Sequence, residues 1–181
     1  LYTAGLLLPN LPGAHRWKRT GWTLFIRGMR DQITPAGGYI QQSVSYHRLM
    51  LQLAIWMQVL TQLDGAYTFP EDVLIKIDNA IHWLEQLILS KKGKAPNFGA
   101  NDGANILPIG SAYITDYRQV IEQAKFVFPS LTKTNEFINE QNPDQVIVIK
   151  ESRQTACLRA ARYHGRPSHA DQLHLDLWWN N

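Results

Sequence analysis

The sequence predicts a mainly helical chain that turns to β-structure at its C-terminal end. Three observations carry this reading. Apolar residues recur at helical spacing between about residues 15 and 126. Loops rich in glycine, asparagine and proline separate those segments. From residue 145 the spacing switches to a period of two, the mark of a strand with two unlike faces.

Residues 1–14 are apolar and then turn-like, and Pro9, Pro12 and Gly13 are expected to stop any helix there. A helix begins near His15, with Trp22, Phe25, Ile26, Met29 and Ile33 on one face, and Pro35 with Gly37-Gly38 ends it. A second runs from about Gln42 to Gln62 with the stripe Leu49, Leu53, Trp56, Met57 and Leu60, closed by Asp64-Gly65. A third spans Pro70 to Ser90 with Val73, Ile77, Ala80, Ile81, Leu84 and Ile88 inward. Thr68 and Glu71 fit a capping box at its start, and Lys91-Lys92-Gly93 suits its end. The segment 93–111, with Gly99-Ala100-Asn101-Asp102-Gly103-Ala104-Asn105, is a loop long enough to expect a function. A shorter helix follows over Asp116–Phe126. Amphipathic helices in series, joined by such loops, describe a bundle or toroid.

Strands are predicted at Gln145–Ile149, at Thr155–Ala161, and where Leu173, Leu175, Leu177 and Trp179 alternate with His174, Asp176 and Trp178. Three strands need something to cover them. The expected division is a helical domain over 1–130 and the truncated start of a sheet domain over 131–181. The chain opens on Leu1 rather than Met and reads as an internal piece of a longer protein, so apolar surface at its cut faces is expected to drive self-association.

Composition narrows the partners. Of 181 residues, 45% are hydrophobic, enough for a core. Six Trp and seven Tyr serve the core first, although sugar sites also use such rings as stacking surfaces. The net charge of +3 is scattered, with no basic run, which argues against a nucleic-acid partner and suits an acidic polymer. Cys157 stands alone, so no internal disulfide and no cysteine-rich zinc site can form. Leu6-Leu7-Leu8 is too short for a membrane span.

Three stretches carry a family resemblance. Gly37-Gly38-Tyr39-Ile40-Gln41-Gln42-Ser43-Val44-Ser45-Tyr46-His47-Arg48 is a glycine turn, a polar segment and a Tyr at a helix start. Phe98-Gly99-Ala100-Asn101-Asp102-Gly103 resembles a loop facing a sugar cleft. Arg166-Pro167-Ser168-His169-Ala170-Asp171-Gln172-Leu173-His174-Leu175-Asp176-Leu177 looks like a His-Ala-Asp turn entering a strand. In this order they resemble the heparinase II/III polysaccharide lyases and related alginate lyases. The resemblance implies a partial (α/α) toroid followed by the first strands of an antiparallel β-sandwich, with the cleft between them. It implies β-elimination at a uronic acid: a base takes the C5 proton, an acid protonates the O4 leaving group, and a neighbouring group offsets the carboxylate charge. It also implies a periplasmic or secreted location.

Carried over residue by residue, Tyr46 matches the family's catalytic Tyr, set against the reading of an aromatic packed at a helix start. His169 matches the His that reaches into the cleft from the second domain. The alternative is a turn in which Asp171 caps backbone amides. Gln42, His47, Arg48, Asn101 and Asp102 stand as substrate-binding candidates. Against them, His47 reads as a structural hydrogen bonder, Arg48 as a solvated surface residue, and Asn101 and Asp102 as loop-turn residues. His174 reads as structural. The family's Asn/His motif is expected upstream of Leu1, and Ala36 stands where the family often has an acidic residue. No cofactor is implied, and a structural metal, as some members carry, would need ligands beyond Asn181. Besides a lyase, the same residues fit a uronyl C5-epimerase, a non-catalytic polysaccharide-binding or biosynthesis protein, or a helical scaffold. Unsaturated product would mark the lyase, C5 inversion without it the epimerase, and binding without turnover the third.

Overall fold

A computed structural model describes residues 1–108, 113–129, 146–160, 163, 169 and 171–179. Five helices precede a three-stranded antiparallel sheet: α1 (Tyr2–Leu7), α2 (Ala14–Gln32), α3 (Val44–Asp64), α4 (Glu71–Gln86), α5 (Arg118–Val127), β1 (Val146–Glu151), β2 (Gln154–Arg159) and β3 (Leu175–Trp179). The all-α-then-β order is the predicted one. The expected domain boundary falls largely on residues outside those described. Among the described residues no helix is long and apolar enough to cross a membrane.

Helix α1 corrects the reading of residues 1–14 as helix-free. The prolines do stop it, but only after Leu7, because Leu8 precedes Pro9 and is pushed out of the α region. It lies tightly on α2: a Cβ added at Gly21 would sit 2.3 Å from the Tyr2 amide nitrogen. Tyr2, Trp22, Phe25, Tyr67 and Phe69 then form a chain of edge-on and stacked rings beside this crossing.

Helix α3 packs against both α4 and α5, and α2 packs on α4. The stripe expected on α3 is only half right. Met57 and Leu60 are buried, but Leu53 and Trp56 are exposed, while Met50, Leu51, Ala54 and Ile55 fill the core. A helix covered on several sides buries more than one stripe, so periodicity names the wrong seam. On α4 the expected stripe holds from Val73 to Leu84, all buried. The capping box does not form: Pro70 is the N-cap residue and no side chain caps the helix. Glu71 and Asp72 in the first turn still suit the positive helix end.

In the sheet, β2 pairs with β1 and β3, with Cys157 opposite Val148 and Asp176. The inner face carries Cys157 and Arg159, both buried, and the half-buried Trp178. The alternation expected in β3 is present, but Leu175, Leu177 and Trp179 face outward, exposed at 56%, 71% and 68%. They share that face with Ile147 and Ile149 across the register.

His47 is part of the core, at 0% exposure. Its Nε2 lies 2.9 Å from the Ala80 carbonyl oxygen, which can only accept, so Nε2 carries the proton. Its ring stacks on Trp83 with centroids 4.6 Å apart. Nδ1 has no partner among the described residues, so a second proton would be buried without an acceptor. Burial pushes the imidazole down to about 4, against a weaker opposing effect of the Ala80 bond.

An unfolded His titrates near pH 6.5, so below that the unfolded chain binds a proton that the fold refuses until about pH 4. Stability should therefore fall as pH drops through this window, by on the order of 3 kcal/mol at most. Urea midpoints of wild type and His47→Gln at pH 7 and about pH 4.5 check this: the variant should show the shallower pH slope.

Candidate active site where the 97–108 loop meets helix and sheet

The start of α3 is a polar socket for the loop. Ser43 is extended, and its Oγ accepts the Tyr46 amide at 3.1 Å while donating to the Ala100 carbonyl at 2.6 Å. The Val44 amide donates to the Phe98 carbonyl at 3.2 Å. Gly99 adopts φ +71, and a Cβ there would lie 2.4 Å from the Gln42 carbonyl oxygen. The backbone can press onto the helix start only because this residue has no side chain.

The loop then carries Asp102 to Tyr46. The phenol donates to Asp102 Oδ2 at 2.7 Å. That hydrogen bond, with the nearby negative charge, raises the Tyr46 pKa, so the phenol holds its proton. Further along, Arg48 Nε donates to the Ala104 carbonyl at 3.0 Å and its Nη1 to the Ile114 carbonyl. Its guanidinium lies 4.8 Å from the Tyr117 ring centroid. Gln52, one turn on, donates to Asn105 Oδ1 at 2.6 Å and accepts the Ile106 amide at 2.9 Å.

The sheet holds the same loop from its other side. Asp171 Oδ2 accepts the Gly99 amide at 2.8 Å and lies 3.2 Å from Arg159 Nη1, while Oδ1 lies 2.9 Å from His174 Nδ1. Burial works to raise the Asp171 pKa, but the Gly99 amide, His174 and Arg159 together outweigh it and leave the carboxyl below its ordinary value. Asp176 Oδ2 accepts the Asn97 amide at 3.2 Å, and the His174 ring meets the edge of Phe98 at 5.2 Å. The Arg159 guanidinium also lies 5.4 Å from the Tyr163 ring centroid.

The structure brings some of the sequence-named residues together and holds others apart. Tyr46 and Asp102 touch directly, and Asn101 is exposed beside them with its amide donating to Asn97 Oδ1 at 2.5 Å. His47 and Arg48 are corrections. His47 is sealed in the core, and Arg48 is neither a solvated residue nor a free carboxylate binder, because its buried guanidinium is taken by the Ala104 and Ile114 carbonyls. Gln42 sits in a turn at φ 54, its amide donating to the Tyr39 carbonyl at 2.8 Å. His169 is exposed, and its carbonyl accepts the Tyr163 hydroxyl at 3.3 Å. The rest of its motif, 164–168 and 170, lies outside the described residues. His174 is structural, as expected, through Asp171 and Phe98. Ser43, Gln52 and Arg159 also hold the site. Ser43 three residues before Tyr46 was the one legible signal, as an N-cap.

A family model described as Heparinase II/III N-terminus matches residues 1–135. The chain therefore belongs to the heparinase II/III family, a polysaccharide lyase family. No curated protein and no solved structure matches it.

Replacing Asp102 by Asn removes the charge that holds the Tyr46 proton. Tyr46 should then titrate closer to an ordinary tyrosine, read from the Cζ resonance of labelled tyrosines with Tyr46→Phe assigning the signal.

Proposed function

We propose that the full-length protein is a lyase that cleaves a uronate-containing acidic polysaccharide by β-elimination, with Tyr46 as the group that protonates the O4 leaving oxygen. The observation that carries this is the Tyr46–Asp102 hydrogen bond at the mouth of α3. A phenol with a raised pKa is not a resting base. It keeps its proton until a better acceptor arrives, and an O4 oxygen gaining negative charge is such an acceptor. In the elimination a second group takes the C5 proton, the C5–H electrons become the C4=C5 bond, the C4–O4 bond breaks, and the phenol proton passes to O4.

His169 is the proposed second group on the sugar, since it is exposed on the turn that enters β3. Asn101 is the proposed rim contact to sugar hydroxyls, being exposed next to Asp102. The scattered charge of +3 suits an acidic polymer as partner. A periplasmic or secreted location belongs to the same proposal. The outward Leu175, Leu177 and Trp179 support self-association of the isolated chain.

Turnover of uronate polymers by the full-length protein should be visible as the absorbance of the conjugated, unsaturated product. Tyr46→Phe should lower kcat by about 10²–10⁴-fold while largely sparing binding, as expected for loss of a proton-transfer group. Near-wild-type turnover in that variant would remove Tyr46 from the chemistry. Solvent deuterium entering C5 without unsaturated product would replace the lyase by an epimerase.

A further inference from the structure

We infer that Asp171 is a positioning residue for Tyr46: its carboxylate fixes the 97–102 loop, and so Asp102, against the start of α3. Three donors from three parts of the chain meet on this one carboxylate: the Gly99 amide, Arg159 and His174. Arg159 is 1% exposed, and a guanidinium so far from water holds a carboxylate firmly in place.

The loop has no slack at Gly99. Toward the helix, its Cα already faces the Gln42 carbonyl and Ser43 at distances that leave no room for a Cβ. Away from the helix, movement would break the Gly99–Asp171 bond at 2.8 Å. Asn97 and Phe98 are held from the same side by Asp176 and His174. Asp102 follows Gly99 by three residues, and its bond to Tyr46 is 2.7 Å long. A shift of about 1 Å at Gly99 would be enough to spoil that bond, and misplacement on this scale can cost about 10²-fold in rate. Asp171 thus acts on Tyr46 through the loop, without touching it.

The activity part of the test rests on Tyr46 being the proton donor proposed above; the spectroscopic part does not. The full-length protein is made as Asp171→Ala and Asp171→Asn, with labelled tyrosines and Tyr46→Phe to assign the signal. In Asp171→Ala the Tyr46 Cζ resonance should titrate at lower pH, in the same direction as in Asp102→Asn, with the tyrosines away from both Asp171 and Arg159 unmoved. Its kcat should fall about 10–100-fold with KM within about threefold. Asp171→Asn keeps an oxygen for the Gly99 amide and should lie between wild type and Asp171→Ala on both readouts. A Tyr46 titration unchanged in these variants overturns the inference, and so does an active enzyme whose kcat ignores them. If Asp171→Ala does not fold, Asp171→Asn decides on the same criteria. If wild type yields no unsaturated product from any uronate polymer, the lyase proposal fails and the Tyr46 titration alone decides the role of Asp171.

Discussion

The buried Arg159 guanidinium is paired with the Asp171 carboxylate, and this pairing is the constraint around which β2, β3 and the loop at Gly99 are arranged. Arg159 closes β2 and Asp171 precedes β3, so the pair sits where two strands of the sheet come together. The Arg159 amide adds a bond to the His174 carbonyl at 2.9 Å and extends the ladder past the end of β3. Once this corner is fixed, the remaining lone pairs of Asp171 point at the loop and at His174. A neutral residue in place of Asp171 would leave a buried charge without its partner, which costs more than the pair itself contributes.

Helix α3 serves two purposes along its length. Its first turns bury Ser45, His47, Arg48 and Gln52, and Arg48 and Gln52 are satisfied by Ala104, Asn105, Ile106 and Ile114. Beyond them come Ala54, Ile55, Met57 and Leu60, which pack as ordinary core. The polar end therefore depends on the apolar end. A loop without regular structure is held by side chains that stand on a well-packed helix.

The architecture was legible because helices and strands repeat at different periods, and the three strands and four of the five helices follow that signal. Helix α1 was hidden by its shortness and by Pro9, which ends it rather than forbidding it. Periodicity gives the wrong seam on α3 because burial on several sides erases the stripe it detects. Tyr46 at a helix mouth and Asp102 in a loop were readable as residues, but their contact spans 56 positions and no local rule foresees it. Asp171 was readable as a residue that caps amides. The amide it takes is not in its own turn but 72 positions away, which only the tertiary fold decides. His47 shows the opposite case: a polar residue beside a candidate catalytic one, turned inward by the helix and claimed by the core.

Cys157 gives the sheet a chemical clock. It is the chain's single cysteine, it lies in the middle of the central strand β2, and it is fully buried on the inner face. Burial, with the Asp176 charge opposite, pushes its thiol up to about 11, so even a reagent that reached it would find almost no thiolate. Alkylation of the native protein must therefore wait for the strand to open. The rate at which thiol disappears at a fixed reagent concentration would report the share of molecules in which the strand is open, without any engineered label and without knowledge of a substrate.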